Sequence, residues 1–595
     1  MNARTLVDVF REVEKRDKPD LFLVKRDGRW QPIAAREFTE KVRAVSAALG
    51  LFGVVSGGRV ALLSENRPEW SIVDFACQCT GAVLVPIFPT MMSDQVEYLL
   101  KDSGATVAFA SNVEQLTKIL DAQPNCPMLQ TVICFDDPNP LEVKRFETIL
   151  EDGRKAGAAD PEAFDRRALS RQPDDLATLI YTSGTTGEPK GAMLTHGNFV
   201  SNMLAGCSVL PLGDNEVALS FLPLSHVFER LIEYCYFHRG ATIAYAESIE
   251  KVRDNFQEIH PTCFGAVPRV YEKVYARIQE NVEKASPGKK KLFASAMAVG
   301  KEVLDLRVQN KTPGALLAMK HFAFERLVYR KIRAALGSRF KYAISGGAPL
   351  AKDLAEFFWG VGVQIYEGYG LTETSPVIAL NGPSAWRLGT VGKILPGIEA
   401  KIAPDGEILA RGPNIMKGYL NKPEATREAI DADGWFHTGD IGMIDAEGFL
   451  KITDRKKEIL VNSNGKNIAP APIEGFLKGD PFISLPILIG DRRKFLTCLI
   501  VPNFEKLAQW AKTNGVDAKS TDELLADPKV RGLYQKAIEI WNKGKAHEQL
   551  IGKFALLSRE LSIEEGELTP TLKVKRRVID QKYKAVIDTL YAGSD

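Results

Sequence analysis

Apolar strand-like runs alternate with helix-like runs over most of this chain of 595 residues. The segments 59–64, 82–87 and 106–110 have the length and apolar content of buried strands, and the segment 68–79 predicts a helix between the first two. Alternation of this kind predicts an α/β fold of layered, largely parallel sheets. Such sheets bind ligands at the carboxyl ends of their strands.

The composition restricts the classes of protein that remain. Hydrophobic residues make up 45% and charged residues 26%, values of a soluble globular protein rather than a disordered chain, a collagen or a coiled-coil rod. Because 77 Lys and Arg face 75 Asp and Glu, we expect no nucleic acid as the main partner. No run reaches the ~18 apolar residues of a membrane span, and the first residues lack the apolar core of a signal peptide.

The cysteines indicate a reducing compartment. Eight cysteines are too few for a disulfide scaffold in a chain of this length. Only Cys77 and Cys79 are close in sequence, and no CxxC pair occurs, which argues against a zinc site or a thioredoxin-type motif. We therefore expect reduced thiols and a cytoplasmic protein.

A change of character near residue 454 predicts two domains. Before it, the chain is rich in glycine and short strand runs; after it come DRKKEIL, the strand-like PILIG and LTCLIVP, and long helical stretches. We predict a large N-terminal domain of layered α/β sheets over residues 1–453 and a smaller α+β domain over residues 454–595.

One stretch, residues 288–340, is strongly basic, and we call it the basic insert. Twelve Lys and Arg there face three acids, a local net charge of +9, and the pattern predicts two helices separated by residues 312–314. Phe293, Met297, Leu304 and Val308 fall on one predicted face of the first helix. Two interpretations stay open: a helical pair packed on the body with its basic side in water, or a basic amphipathic surface attracted to anionic lipid.

A loop rich in glycine and hydroxyl groups follows the apolar segment 179–181. Residues 182–191, TSGTTGEPKG, hold four hydroxyls, three glycines and Lys190. Glycines let backbone N–H groups approach an anion, hydroxyls add donors, and lysine adds a point charge. The loop therefore predicts phosphate binding, although it is not a Walker A sequence, because Lys190 is followed by glycine rather than Ser or Thr.

This loop belongs to a recognisable series of motifs. YTSGTTGEPKGAMLTHGN (181–198) resembles the signature of the AMP-forming acyl/aryl-CoA synthetases, in the adenylate-forming superfamily. Further family motifs follow in the expected order over roughly residues 30–590: FLPLSHVFER (221–230), SGGAPL (345–350), YEGYGLTET (366–374), GTVGK (389–393), GEILARG (406–412), GWFHTGD (434–440), DRKKEIL (454–460), NGKNIAP (464–470) and LTPTLKVKR (568–576).

The resemblance implies a two-step reaction that uses ATP, Mg²⁺ and CoA. A carboxylate attacks the α-phosphorus of ATP and releases pyrophosphate, and the CoA thiol then attacks the acyl-adenylate and releases AMP. The first step brings an anion onto a polyanion, so cationic groups and positioning must supply much of the catalysis.

The resemblance also implies the nucleotide-binding residues. The residues implied to bind the phosphates are Thr182, Ser183, Gly184, Thr185, Thr186, Gly187 and Lys190. The implied Mg²⁺ ligands are the Thr185 hydroxyl and the Glu373 carboxylate. The resemblance implies that Gly346, Gly347, Ala348 and Tyr369 form the adenine slot. Glu367, Gly368 and Gly370 belong to the same motif as Tyr369. Thr372 is implied to contact the α-phosphate. Asp440 is implied to bind the ribose, and Arg455 is implied to make a second contact to the nucleotide.

The catalytic assignments rest on the same resemblance. Lys573 matches the lysine that reaches the carboxylate and the α-phosphate, although Leu572 stands where many members have glycine, and Lys575 is a nearby competitor. His226 matches a histidine beside the acyl carboxylate; a buried structural histidine is the alternative. The smaller domain is implied to be mobile, rotating near Asp454 so that the loop with Gly465 and Lys466 serves CoA in the second step.

The acid is expected to be a long-chain fatty acid. The segment 261–275 and the basic insert resemble the long-chain branch, and the apolar tunnel is expected from residues 221–228 and 366–376. Where some long-chain members carry a gating tryptophan, this chain has Arg230, so the tunnel gate is absent or built differently. The alternatives are a fatty acyl-AMP ligase serving a carrier protein and a non-catalytic acyl-binding relative. The basic insert would suit a substrate that is dissolved in membrane. We therefore expect a cytoplasmic protein that lies peripherally on an anionic membrane face.

Overall fold

In a computed structural model, the described part of the chain comprises residues 3–137, 143–182, 188–456, 458–461, 466–546, 549–569 and 574–592. Its helices are α1 Leu6–Arg16, α2 Ala35–Leu51, α3 Pro68–Thr80, α4 Ser93–Ser103, α5 Val113–Ala122, α6 Phe146–Ala159, α7 Ala163–Leu169, α8 His196–Val209, α9 Val227–Arg239, α10 Val252–Ile259, α11 Pro268–Glu283, α12 Pro287–Val308, α13 Ala315–Phe324, α14 Arg330–Arg333, α15 Lys352–Gly360, α16 Pro423–Ala429, α17 Pro470–Lys478, α18 Phe504–Thr513, α19 Thr521–Ala526, α20 Pro528–Asn542, α21 Arg576–Lys582 and α22 Lys584–Tyr591.

The strands are β1 Phe22–Arg26, β2 Arg29–Ile33, β3 Arg59–Leu63, β4 Val83–Ile87, β5 Val107–Ala110, β6 Thr131–Cys134, β7 Lys144–Arg145, β8 Leu176–Thr182, β9 Lys190–Thr195, β10 Val217–Ser220, β11 Thr242–Tyr245, β12 Cys263–Ala266, β13 Tyr342–Ser345, β14 Gln364–Gly370, β15 Val377–Leu380, β16 Lys393–Ile394, β17 Glu399–Ile402, β18 Glu407–Arg411, β19 Phe436–Ile444, β20 Leu450–Arg455, β21 Leu460–Val461, β22 Asn467–Ile468, β23 Ile483–Ile489, β24 Leu496–Pro502 and β25 Ile551–Leu556.

Two large sheets dominate the fold. One has nine strands in the order β16-β15-β14-β13-β12-β10-β11-β1-β2, and the other has seven in the order β7-β6-β5-β3-β4-β8-β9. Their central neighbours run parallel, and the antiparallel pairs lie at the edges, as in β1–β2 and β8–β9. Every residue of β4 is buried, as expected of a parallel strand covered on both faces. The predicted α/β fold of largely parallel layers is confirmed.

The first predicted elements differ from the observed ones by one residue at their ends. Strand β3 ends one residue before the predicted limit, while β4 and β5 each begin one residue later than predicted. The helix predicted over 68–79 is α3, which begins with Pro68 at its first turn, where the missing N–H costs nothing. It ends at Thr80 and is capped by Gly81, whose φ of +82° suits a residue without Cβ.

The basic insert forms the two predicted helices, α12 and α13, on either side of residues 312–314. A π-helical turn, Glu325–Tyr329, and the short α14 follow α13. Of the four apolar residues on the predicted face of α12, Leu304 is buried and Phe293 and Met297 are half-buried, whereas Val308 is 55% exposed. Val308 is the last residue of α12 and lies one turn beyond Leu304, the last buried position of that helix.

The chain groups into two compact units, with residues 402–408, 439–443 and 452–595 in the second and the rest in the first. The second unit contains the sheet β23-β24-β25, in which β23 and β24 are antiparallel and β24 and β25 parallel. Helices α17 and α20 pack on one apolar cluster of this unit, which includes Ile473 and Tyr534. The predicted smaller α+β part is therefore present, while the boundary at residue 454 stays a prediction.

Two further observations concern chemistry and location. All eight cysteines lie in the described ranges, where each is buried and none forms a disulfide. Among the helices of the described residues, none has both the length and the apolar content to cross a membrane.

Candidate active site

The loop predicted to bind phosphate, the phosphate loop, connects the two strands of the antiparallel hairpin β8–β9. Thr182 and Lys190 are paired across the hairpin, and the Thr182 hydroxyl donates to the carbonyl of Lys190 at 3.5 Å. Antiparallel pairing keeps the two chain ends of the loop together. The loop residues between them that were predicted to bind phosphate lie outside the described residues: Ser183, Gly184, Thr185, Thr186 and Gly187.

Tyr419 connects the loop lysine to the predicted metal-binding carboxylate. Nζ of Lys190 lies 5.1 Å from the centroid of the Tyr419 ring, and the Tyr419 hydroxyl donates to Oε1 of Glu373 at 2.7 Å. Burial and the adjacent Glu373 carboxylate raise the pKa of Tyr419, so the phenol stays neutral at physiological pH. Tyr419 was not predicted from the sequence, because nothing in the sequence relates it to positions 190 and 373.

Backbone pairing brings Tyr419 to this position. Tyr419 forms an isolated β-bridge with Ala192 of β9, and the Met193 N–H donates to the carbonyl of Gly418 at 2.9 Å. The Leu420 N–H donates to the carbonyl of Gly191 at 2.8 Å. The segment around Tyr419 therefore runs alongside β9, directly beyond the phosphate loop.

The segment that contains Glu373 is fixed by close backbone packing. A Cβ at Gly370 would lie 1.7 Å from the carbonyl oxygen of Pro376, so only glycine fits there. Residues Thr372–Thr374 form a 3-10 turn. The side-chain amide of Asn414 donates to the carbonyl of Thr374 at 2.8 Å, and the Met416 N–H donates to the carbonyl of Glu373 at 2.8 Å. These bonds hold the backbone at Glu373, a residue that is only 8% exposed.

The residues predicted to bind adenine lie at the ends of two neighbouring parallel strands, after β13 and in the last residues of β14. Ser345 of β13 pairs with Glu367 of β14, so the small residues after β13 lie next to the segment around Tyr369, which is half-buried. A Cβ at Gly346 would lie 2.9 Å from the Phe228 ring, so a side chain there would displace that ring. Both segments lie at the carboxyl ends of parallel strands, as the sequence predicted. The other members of the predicted set on these segments are Gly347, Ala348, Gly368 and Thr372.

Glu367 is a buried acid in this group. Burial raises its pKa to about 8, and the N–H of Leu350 opposes that shift. The carboxyl group therefore holds its proton near neutral pH. A neutral acid beside the expected nucleotide pocket avoids adding a negative charge next to a triphosphate.

His226 caps helix α9 with its side chain. Its Nδ1 accepts a hydrogen bond from the Phe228 N–H at 3.1 Å, and its ring meets Phe88 edge-on at a centroid distance of 6.3 Å. An accepting Nδ1 places the proton of a neutral imidazole on Nε2. The structure thus gives His226 a local structural role, while its role beside the acyl carboxylate stays a prediction.

Arg230, at the position of the expected gate, is buried within an ion pair. Its side chain is 1% exposed, and its Nη2 lies 2.5 Å from Oδ1 of Asp74. Its Nη1 donates to Thr178 at 2.8 Å, and its Nε donates to the Tyr234 hydroxyl at 3.0 Å. A guanidinium held on all sides in this way is a fixed part of the core rather than a moving gate. Asp74, its partner, is a buried residue of α3.

In the second unit, Asp440 and Arg455 contact each other on neighbouring strands. Asp440 is 4% exposed, and the Arg455 Nε lies 3.1 Å from its Oδ1. Asp454, the predicted hinge, is also buried, and burial raises its pKa to about 6. Its Oδ1 accepts a hydrogen bond from the Arg455 N–H at 2.6 Å. The two residues predicted to contact the nucleotide from this unit are therefore adjacent.

Three further residues of the second unit were predicted to act in the reaction: Gly465, Lys466 and Lys573. Lys466 is exposed, whereas Gly465 and Lys573 lie outside the described residues. Leu568 and Val574 form an isolated antiparallel β-bridge. Just beyond it, Arg576 forms an ion pair with Glu474 at 2.5 Å.

Of the two residues predicted to bind Mg²⁺, Glu373 lies within the described residues and Thr185 lies outside them. Within the described ranges, no group of three or more His, Cys, Asp or Glu side chains is arranged to hold a metal ion. Oε1 of Glu373 accepts from Tyr419, and no hydrogen bond to Oε2 is recorded within those ranges. One carboxylate oxygen is thus available, and a carboxylate oxygen is a ligand that Mg²⁺ prefers.

The fold and the site can now be compared with known proteins. The family model of the AMP-binding enzymes matches residues 10–420, and the model of the AMP-binding enzyme C-terminal domain matches residues 457–595. The chain is 40% identical over 583 residues to the long-chain-fatty-acid–CoA ligase FadD15 of Mycobacterium bovis, covering 97% of this chain and 95% of that protein. It is 33% identical over 607 residues to the long-chain-fatty-acid–CoA ligase ACSBG1 of Homo sapiens, covering 95% and 82%.

A solved structure shares the fold. The anthranilate CoA ligase AuaEII in complex with anthranoyl-AMP gives a TM-score of 0.75 at 19% identity and covers 98% of both chains. At that identity the likeness concerns the fold alone. The two family models together span almost the whole chain, so the resemblance inferred from the ordered motifs is confirmed. The chain belongs to the family of AMP-binding enzymes and is an AMP-forming acyl-CoA synthetase.

Proposed function

We propose that this protein is a long-chain fatty acid–CoA ligase. It activates a fatty acid with ATP to acyl-AMP, releasing pyrophosphate, and then forms the thioester with CoA, releasing AMP. The observation that carries the proposal is the 40% identity, over 97% of the chain, to a protein named as a long-chain-fatty-acid–CoA ligase. The connected Lys190, Tyr419 and Glu373 support it, because they offer a cation and a carboxylate beyond a loop suited to phosphate.

In the first step the chain's own residues neutralise and position charge. Thr182, Lys190 and the loop between them bind the phosphates, and Thr372 lies at the α-phosphate. Lys573 meets the fatty-acid carboxylate and the α-phosphate, where negative charge accumulates in the transition state. His226 orients the carboxylate. Positioning of this kind provides a large share of catalysis in phosphoryl and nucleotidyl transfer.

The nucleoside is bound through its adenine and through its ribose. Gly346, Gly347 and Ala348 leave room for the adenine, and Tyr369 offers a flat aromatic face for stacking. Asp440 accepts hydrogen bonds from the ribose hydroxyls, and its partner Arg455 makes a second contact to the nucleotide. Thr185 and Glu373 would hold Mg²⁺, which would neutralise part of the triphosphate charge when bound.

The second step uses a rotation of the smaller domain, residues 454–595, about Asp454. Rotation withdraws Lys573 and brings the loop with Gly465 and Lys466 to the acyl-adenylate, where glycine lets the backbone approach the pantetheine arm of CoA. Such a hinge gives two closed states, one for each half-reaction.

The enzyme is proposed to work in the cytoplasm, peripherally on an anionic membrane surface. A long-chain fatty acid is dissolved mainly in membrane, and the basic insert supplies positive charge in one region of the surface. The buried apolar residues of the segment 221–228, among them Phe221, Leu224 and Phe228, supply apolar surface for an acyl tunnel.

The decisive experiment is a product assay with the full chain, ATP, Mg²⁺, CoA and a series of fatty acids from hexanoate to arachidate. The proposal predicts AMP, pyrophosphate and acyl-CoA in equal amounts, with the highest turnover for long acids. ADP as the main product contradicts the adenylate chemistry. Acyl-AMP without thioester points instead to a fatty acyl-AMP ligase, and the absence of any nucleotide turnover points to a non-catalytic relative.

A further inference from the structure

The second helix of the basic insert presents an apolar face that no described residue covers. Helix α13 has no buried residue, and its Leu316, Met319 and Phe322 are 67%, 69% and 60% exposed. Leu327, in the π-helical turn that follows, is 52% exposed. Of the 17 exposed large apolar side chains in the described ranges, six lie between residues 292 and 327. Such a concentration marks an interaction surface rather than scattered exposure.

The face is continuous because of the helix period. Leu316, Met319 and Phe322 recur every three residues, so they form one stripe along the outer side of α13. The inner side of the same helix is apolar as well, since Leu317 and Phe324 are partly buried. Packing on the body therefore accounts for the inner side only, and the outer apolar stripe needs another explanation.

Positive charge surrounds this stripe. Lys320, Arg326, Arg330 and Lys331 are exposed, and within the described ranges none of them forms an ion pair. The Arg326 guanidinium lies 4.8 Å from the Phe322 ring centroid. Between residues 315 and 333 the only acid is Glu325, and it is paired with Arg333.

A contact at the end of α13 adds further cations. The Tyr329 hydroxyl donates to the carbonyl of Ala296 at 2.5 Å. This bond brings the π-helical turn next to the N-terminal half of α12, where Lys289, Lys290 and Lys291 are exposed. The helix next to the π-helical turn therefore also contributes exposed cations.

We propose that this lipid-docking face, formed by Leu316, Met319, Phe322 and Leu327, lies in the interface of an anionic bilayer. The apolar side chains enter the acyl region, while the neighbouring lysines and arginines reach the anionic headgroups. Charge complementarity favours this occupant over a second copy of the chain, because two such faces would bring like charges together. The inference rests on the proposed function, in which the acid is dissolved in membrane.

The test compares variants of the full chain in flotation with phosphatidylcholine vesicles, with and without phosphatidylglycerol. The triple variant Leu316→Gln, Met319→Gln, Phe322→Gln removes the apolar stripe, and the quadruple variant Lys320→Gln, Arg326→Gln, Arg330→Gln, Lys331→Gln removes the charge. Leu51→Gln, Val55→Gln, Leu169→Gln is the matched control, because these side chains are 59%, 69% and 68% exposed in the same unit.

The unmodified chain is expected to bind anionic vesicles more tightly than neutral ones, and added salt should weaken that binding. The triple variant should lose about tenfold or more in vesicle affinity, and the charge variant about fivefold for each cation removed. The control should bind like the unmodified chain. Equal binding by the triple variant and the control overturns the proposal.

Two further measurements distinguish lipid docking from self-association, and the docking proposal from the proposed function. If the triple variant abolishes self-association in sedimentation velocity but keeps vesicle binding, the face is an interface between copies, which also overturns the proposal. Acyl-CoA formation from albumin-delivered palmitate should be the same in the triple variant and the unmodified chain. If the unmodified chain makes no acyl-CoA from any acid, the proposed function fails, whatever the vesicle result.

Discussion

The Tyr419 hydroxyl donates to the Glu373 carboxylate at 2.7 Å while the Tyr419 ring faces Nζ of Lys190. One neutral aromatic residue thus connects the cation that follows the phosphate loop to the carboxylate expected to bind Mg²⁺. Because Tyr419 stays neutral, it orients the carboxylate without cancelling its charge.

Tyr419→Phe keeps the ring near Lys190 and removes only the hydrogen bond to Glu373. A hydrogen bond to a charged group is worth roughly 1.5–3 kcal/mol, so adenylation at limiting Mg²⁺ should fall about tenfold or more. The measurement is pyrophosphate release over a Mg²⁺ titration. Tyr534→Phe, which removes a hydroxyl bonded to the carbonyl of Phe482, is the control. An unchanged Mg²⁺ dependence in folded Tyr419→Phe would show that the bond does not serve the metal site.

Asp440→Ala should weaken ATP binding. The variant removes a buried carboxylate expected to bind the ribose and leaves Arg455 without this partner. Charged hydrogen bonds of roughly 1.5–3 kcal/mol are lost, so ATP affinity by calorimetry should fall about ten- to a hundredfold, while fatty-acid binding changes less. Asp433→Ala, an exposed neighbour in the same motif region, should leave ATP affinity unchanged. Normal ATP affinity in Asp440→Ala removes this residue from the site.

Lys573→Ala should separate the two half-reactions. Preorganised charge at the transition state is typically worth ~10²–10³ in rate, so acyl-AMP formation should fall by at least about that factor. The same variant, given synthetic acyl-adenylate and CoA, should make acyl-CoA at a near-normal rate, because the proposed domain rotation would withdraw Lys573. The control Lys575→Ala should change adenylation far less. If the two variants exchange behaviour, the catalytic lysine is Lys575; equal slowing of both halves contradicts the hinge.

Glu229→Gln should stabilise the protein at alkaline pH. Burial raises the pKa of Glu229 to about 8, and Ser220 and Glu233 are its polar neighbours. With a raised pKa in the folded state, the stabilising contribution is complete below the unfolded pKa and is lost as pH rises through about 8. The glutamine variant has no such loss, so its free energy of unfolding, measured by urea denaturation, should exceed that of the unmodified chain by roughly 2–4 kcal/mol above about pH 8.5.

The pH dependence distinguishes this effect from ordinary repacking. The advantage of Glu229→Gln should shrink toward zero as the pH falls below about 4, because only there does the carboxyl group hold its proton in both the folded and the unfolded chain. Glu302→Gln, an exposed acid on α12, should show no pH-dependent difference. A constant difference across the whole pH range would mean that the carboxyl group does not titrate in this window.

The sequence alone determined the class of fold and the family. Parallel buried strands need apolar residues on both faces, so runs such as that of β4 are visible in one dimension. Capping residues such as Pro68 and Gly81 mark the ends of α3 in the same way. The ordered motifs are local as well, because a phosphate loop or a glycine-rich turn is built from consecutive residues. Family membership could therefore be inferred before any coordinate and was confirmed by the comparisons.

The partners of side chains were decided only by the tertiary structure. Tyr419 with Glu373 and Arg230 with Asp74 are far apart in sequence, and no local pattern specifies which distant strands or helices bring them together. The exposure of Leu316, Met319 and Phe322 likewise depends on which side of α13 packs on the body. Apolar periodicity predicts a helix with an apolar side, but when two sides are apolar only packing decides which one is buried.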